Sequence, residues 1–199
     1  MNEKFIKKYL RMAKQVGEDS NPCYARQIGA IIVHPIENRI LGTGYNGPPA
    51  GTPHCDTVPY LQEIVWPQLT NDEKDFASVP ASYANDKMQR RWFLEQYGDC
   101  KRCPRRIVGA PSGKRPEICS CVHSEINAII NARQSVFDCH LIGWCGLPCI
   151  GCSTAIINAG IKKIICLKWK EDYSFQSRQI LSWAQIVVEE RDEESLEVV

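Results

Sequence analysis

The sequence lacks a field of either charge. Over 199 residues, 24 Lys and Arg stand against 23 Asp and Glu, a formal net charge of +1. Such a balance provides no broad basic footprint for a nucleic-acid backbone, leaving room only for a local groove. No apolar run approaches the ~18 residues that a membrane span needs. The opening stretch, Met1 to Leu10, is charged and carries no leader pattern. Internal repeats and low-complexity tracts are also missing. What is left is a single domain over residues 1–199, long enough for a proper core. It is expected to be soluble and cytoplasmic, with neither nucleic acid nor membrane as partner.

Cysteine is abundant by contrast, with eleven in the chain. A reducing compartment keeps thiols from pairing, so they are expected as metal ligands or buried thiols and not as disulfides.

Apolar periodicity predicts a first helix over Glu3 to Val16, stopped by Gly17 and then Asn21-Pro22. Ile28 to Val33 and Arg39 to Thr43 are expected as strands around a turn at Pro35 to Asn38. Gly44 to Gly51 is a loop whose glycines allow close backbone approach and whose prolines fix its course. Residues 56–102 have the character of an insertion, with a capping box at Thr70 and Glu73. A helix is expected there from about Ser82 to Tyr97, closed by Gly98. The insertion would pack on the main domain or act as a lid. Further on, a helix is expected from His123 to Arg133 and a strand from Leu141 to Trp144. The next helix would open with Pro148 in its first position and end at Gly160. A buried strand over Ile161 to Leu167, a helix over Ser177 to Ala184 and a strand over Gln185 to Val188 follow, with a solvated acidic tail from Glu189. Strands alternating with helices after a hairpin predict an α/β fold, a three-layer α/β/α sandwich.

Two short stretches carry the chemistry. One is Cys121-Val122-His123-Ser124-Glu125-Ile126-Asn127-Ala128-Ile129 and the other Leu147-Pro148-Cys149-Ile150-Gly151-Cys152. Cys149 and Cys152 fall in one helical turn, where the partial positive charge of a helix start favours thiolates. With His123 they make a three-ligand zinc set that leaves a fourth position for water. Glu125 is the expected proton carrier. Two residues along an ideal helix is nearly the opposite face, so its reach depends on the geometry of the helix start. Asn127, four residues from His123, lies on the ligand face as a substrate or supporting contact. A closed structural site is the alternative, with Cys121 or Cys145 as fourth thiol, but such a site has no need of the carboxylate.

These motifs resemble the zinc-dependent cytidine and deoxycytidylate deaminase superfamily, whose H-x-E and P-C-x-x-C signature is recovered here. The resemblance extends to Gly44-Tyr45-Asn46-Gly47-Pro48, to Cys23-Tyr24-Ala25-Arg26-Gln27-Ile28-Gly29-Ala30, and to Cys103 and the run from Pro111 to Cys119. It implies a central mixed sheet of the cytidine deaminase type and hydrolysis of dCMP to dUMP and ammonia. It also implies possible dCTP and dTTP effectors and a homo-oligomer. Asn46 would lie at the nucleotide pocket, its amide bonding either a sugar hydroxyl or its own loop. Arg26 could meet the phosphate, or simply pack. Ser124 departs from the family's usual alanine, and Ile142 to Gly146 and Lys168 to Tyr173 from its usual pocket walls. Those departures bear on which nucleotide is taken. The alternatives are another cytosine nucleotide or nucleoside, a tRNA base, a riboflavin-type precursor, or a zinc-stapled interaction protein without catalysis. The resemblance further places a second, structural zinc on Cys23, Cys55, Cys103 and Cys119, with Cys100 as substitute. Long loops with little regular structure cannot order themselves by burial alone, and a closed four-thiolate site would tie them down.

Overall fold

The computed structural model describes residues 1–20, 23–83, 85–111, 114–169 and 175–196. In chain order its elements are α1 (Glu3–Ser20), β1 (Gly29–His34), β2 (Arg39–Tyr45), α2 (Val58–Tyr60), α3 (Asn71–Phe76), α4 (Asp86–Tyr97) and α5 (Pro104–Ile107). Then come α6 (Ser124–Ala132), β3 (His140–Gly143), α7 (Ile150–Asn158), β4 (Lys163–Leu167), α8 (Phe175–Trp183) and β5 (Val187–Arg191). None of these helices is long and apolar enough to cross a membrane. The chain divides into two compact units: Met1–Asn21, Gln27–Asn46 and Val122–Val199 form the first, Pro22–Arg26 and Gly47–Cys121 the second. The segment outside the sheet-bearing unit is thus longer than the 56–102 predicted for an insertion.

The first unit is the expected three-layer sandwich. Its sheet has the order β2-β1-β3-β4-β5, with β1 antiparallel to β2 and β3, and β3, β4 and β5 mutually parallel. Side chains alternate across the central strands, so both faces can be covered. Ile31, Val33, Ile142, Ile165 and Leu167 face α1, which buries Ile6, Tyr9, Leu10 and Ala13 against them. Ala30, Ile32, Leu141, Ile164 and Cys166 meet Ala128, Ala132, Ile156 and Leu181 of α6, α7 and α8.

Several boundaries differ from the sequence expectation for local physical reasons. Helix α1 runs through Gly17 to Ser20. A Cβ on Gly17 would lie 2.8 Å from the Gly29 nitrogen, so this glycine serves close packing and not termination. Helix α4 starts at Asp86 because Asn85 caps it, its side chain accepting from Met88 N at 3.0 Å. Gly98 ends α4 at φ −63, and the left-handed turn falls on Asp99. Pro148 stands one residue before the cap of α7 and not inside it. Glu189 and Glu190 belong to β5 rather than to a loose tail. Pairing with β4 continues to Arg191, Lys163 pairs with Glu189 and Arg178 with Glu190.

The second unit carries its own apolar core of Tyr60, Leu61, Val65, Trp66, Phe93, Ile107 and Ile118 among others. Trp66 lies 5.4 Å from Phe93 ring to ring, carries Lys74 over its ring at 4.4 Å, and donates from its indole to Asp86. The predicted capping box of Thr70 and Glu73 opens α3.

Candidate metal and catalytic site

The first unit brings two helix starts together. His123 caps α6 in extended conformation, φ −70 and ψ 151, and Cys149 caps α7 at φ −63 and ψ 168. Nδ1 of His123 lies 3.5 Å from Cys149 Sγ and 3.3 Å from Cys152 Sγ. Among the described residues these three side chains form a group whose ligand atoms all lie within 4.8 Å of one another. Two sulfurs and one imidazole nitrogen in such proximity suit a tetrahedral zinc ion with one position open. Cys152 and Glu125 are buried while His123 and Cys149 are exposed, so the group opens to solvent on one side.

The electrostatics agree with a ligand role. The hydrogen bond from Cys152, followed by that from His123, holds the Cys149 thiol down at about 4. The same bond, then burial, pushes Cys152 up, so a thiolate and a thiol share one proton at the helix starts. The charge of Glu125 also raises Cys152 and Cys145. Because His123 stands at the cap, outside the helical turn, ideal-helix geometry does not set it opposite Glu125. Cys145 is fully buried and its thiol is raised well above the ordinary range, chiefly by burial.

The neighbouring strand holds α6 in place. A Cβ on Gly44 would lie 2.2 Å from the Ser124 carbonyl, and one on Gly42 2.3 Å from that of Ala128. Only glycine lets the helix lie directly on β2. Three side-chain amides then clamp the pair. Asn46 Oδ1 accepts from Ser124 N at 2.9 Å, Asn127 Nδ2 donates to the Tyr45 carbonyl at 2.8 Å, and Asn131 Nδ2 donates to that of Thr43 at 2.9 Å. The carbonyl of Asn46 and the amide of Asn127 are therefore engaged in holding the helix. Sequence reasoning did not single out Asn131 as part of this clamp; its signal was the four-residue step from Asn127. The hydroxyl of Ser124 donates to Glu125 Oε2 at 3.0 Å.

The remaining residues singled out from the sequence lie in the second unit. Arg26 is half-buried, and its backbone N–H and that of Ala25 donate to the Cys23 sulfur. No disulfide joins any cysteine. Cys121 is the centre of the thiols there, sharing hydrogen bonds with Cys119, Cys23 and Cys55, which raise it. Its bond lowers Cys23 to about 5 and Cys119 to about 6. Cys103 is raised mainly by burial, accepts the backbone N–H groups of Arg106 and Arg105, and feels the charges of Cys119 and Cys23. Cys121, which the sequence reading left out of the second zinc set, thus interacts with Cys23, Cys55 and Cys119, and Cys103 interacts with Cys119 and Cys23.

Residues 3–168 match the family described as the cytidine and deoxycytidylate deaminase zinc-binding region. A deoxycytidylate deaminase of Schizosaccharomyces pombe is 26% identical over 158 residues, covering 79% of this chain and 35% of that protein. The chain therefore spans only about a third of that relative's length. The deoxycytidylate deaminase of Enterobacteria phage T4 is 29% identical over 161 residues, covering 78% of this chain and 74% of that one. A solved structure of the dCMP deaminase of cyanophage S-TIM5, in complex with dCMP and dUMP, matches at a TM-score of 0.58 and 20% identity. It covers 96% of this chain and 99% of that one, a likeness of fold.

Proposed function

Since the chain belongs to the cytidine and deoxycytidylate deaminase zinc-binding family, we propose that it hydrolyses dCMP to dUMP and ammonia. The observation that carries this reading is the group formed by His123, Cys149 and Cys152, with Glu125 buried in the first turn of the helix that His123 caps. The relatives' activity and the dCMP and dUMP in the cyanophage structure support the choice of nucleotide.

The donor set fits zinc, with His123, Cys149 and Cys152 as ligands. Zinc bound there supplies Lewis acidity that activates water at neutral pH. The protein's own part falls to Glu125. Its carboxylate takes a proton from the attacking water, delivers it to the ring nitrogen of the pyrimidine, and then passes a proton to the amine as the C4–N bond breaks. Asn46 and Asn127 keep α6, and with it His123 and Glu125, seated on β2. The test is ammonia release from dCMP, deoxycytidine, CMP and dCTP, with zinc measured on the same sample. Turnover of dCMP is expected. Zinc-loaded protein inert on all four compounds would overturn this reading.

The reading extends to a second, structural zinc held by Cys23, Cys55, Cys119 and Cys121. Support comes from the hydrogen-bonded thiols around Cys121 and the backbone N–H groups given to Cys23. Four thiolates close a tetrahedral site and leave no position for water. Metal-replete protein should carry about two zinc per chain, and a value near one with reactive thiols in the second unit would remove this site. A homo-oligomer is also part of the reading. Ile130, Phe175 and Trp183 on helices of the first unit are 62%, 77% and 73% exposed, apolar surface suited to a second copy. Light scattering in solution gives the answer.

A further inference from the structure

We propose that Ser124 is a positioning residue for Glu125, an inference that rests on the reading of Glu125 as proton carrier. Ser124 is completely buried between the metal-ligand position His123 and the carboxylate it precedes. Both of its polar hydrogens are committed. The backbone N–H goes to Asn46 Oδ1 at 2.9 Å and the hydroxyl to Glu125 Oε2 at 3.0 Å.

The chemistry asks for this arrangement. The last torsion of a glutamate side chain is broad, so an unheld carboxylate sweeps a wide arc. A proton carrier must present its oxygen within hydrogen-bond reach of water and ring nitrogen in turn. Misplacement by about 1 Å costs on the order of a hundredfold in rate. The Ser124 hydroxyl pins one oxygen, Oε2, and so defines the plane of the carboxylate. Asn46 in turn pins Ser124, so the anchor runs from the loop after β2 through one buried serine to the reacting group. A buried donor to a charged oxygen is also a stronger contact than a neutral pair. This hydrogen bond lies wholly within the protein, so its loss should act on the chemical step.

The test is Ser124→Ala, with kcat and KM for dCMP determined per bound zinc. The expected result is kcat lowered about tenfold, the order of one charge-assisted hydrogen bond, with KM and zinc content within about twofold of the wild type. A second measurement separates positioning from simple folding support: the visible absorption of the cobalt-substituted protein should be the same in S124A and wild type. An altered cobalt spectrum, a rate per zinc equal to wild type, or a change confined to KM overturns the inference. The parallel wild-type assay keeps the two readings apart. Zinc-loaded wild type inert on every cytosine compound overturns the deaminase reading and this inference with it. An active wild type matched by S124A overturns the inference alone.

Discussion

Glu125 follows His123 by two positions, and of the two only Glu125 is inside the helical turn of α6. His123 has the extended backbone of a cap. The carboxylate is not among the three ligand side chains. Glu125→Gln is therefore expected to retain zinc and the fold while losing turnover, by about 10²–10⁴-fold for general acid–base catalysis alone. Zinc analysis beside initial rates checks it, and a mutant with wild-type rates would sink the role. The two cysteine positions behave differently. Cys149→Ser or Cys152→Ser removes a ligand and should cost bound metal as well as activity.

At the scale of elements, the close approach of α6 to β2 seats the helix that carries Glu125. Gly44→Ala would place a methyl 2.2 Å from the Ser124 carbonyl, with backbone on both sides and no flexible end to yield. Overpacking of this kind costs typically about 1–3 kcal/mol. The helix start would shift with it, so lower stability by denaturant unfolding should come with weakened zinc retention. Gly151 in α7 makes the contrast, since a Cβ there meets nothing within 4 Å. Gly151→Ala should raise stability by about 0.5–1 kcal/mol through helix propensity. If both substitutions had the same effect, packing of α6 on β2 would not be the governing contact.

At the scale of the whole molecule, two thiol-bearing regions should respond to metal removal in different ways. Dialysis against a chelator is expected to abolish ammonia release, and zinc should restore it. Cys121→Ser should lose about one zinc per chain and lower the melting temperature, whereas Cys103→Ser should keep both ions. Equal behaviour of the two variants would return Cys103 to the ligand set. The substrate's phosphate is tested at the same scale. A charge-assisted contact to it, worth roughly 1.5–3 kcal/mol, would make dCMP the better substrate than deoxycytidine by about one to two decades in kcat/KM. Equal efficiency would point to a nucleoside deaminase.

Sequence by itself determined the parts of this protein that are local. His123, Cys149 and Cys152 are legible because ligand type, three-residue spacing and helix-start residues all act within one turn of chain. The order of strands and helices, and so the three-layer class, follows from apolar periods of two and 3.6 residues. Tertiary structure alone decided the contacts that join distant segments. Asn46 and Asn127 stand in motifs that suggest pocket residues, and the hydrogen bonds from Ser124 N to Asn46 and from Asn127 to the Tyr45 carbonyl give them a clamping role that spacing does not show. The hydrogen bonds of Cys121 with Cys23, Cys55 and Cys119 depend on how loops from residues 23, 55 and 119 close on one another. The apolar core of the second unit was invisible for the same reason, since its residues are spread from Cys55 to Ile118 with no single period. Spacing encodes neighbours within a turn or a strand. Which loops meet is set by burial and closure over tens of residues, and that is a property of the folded chain.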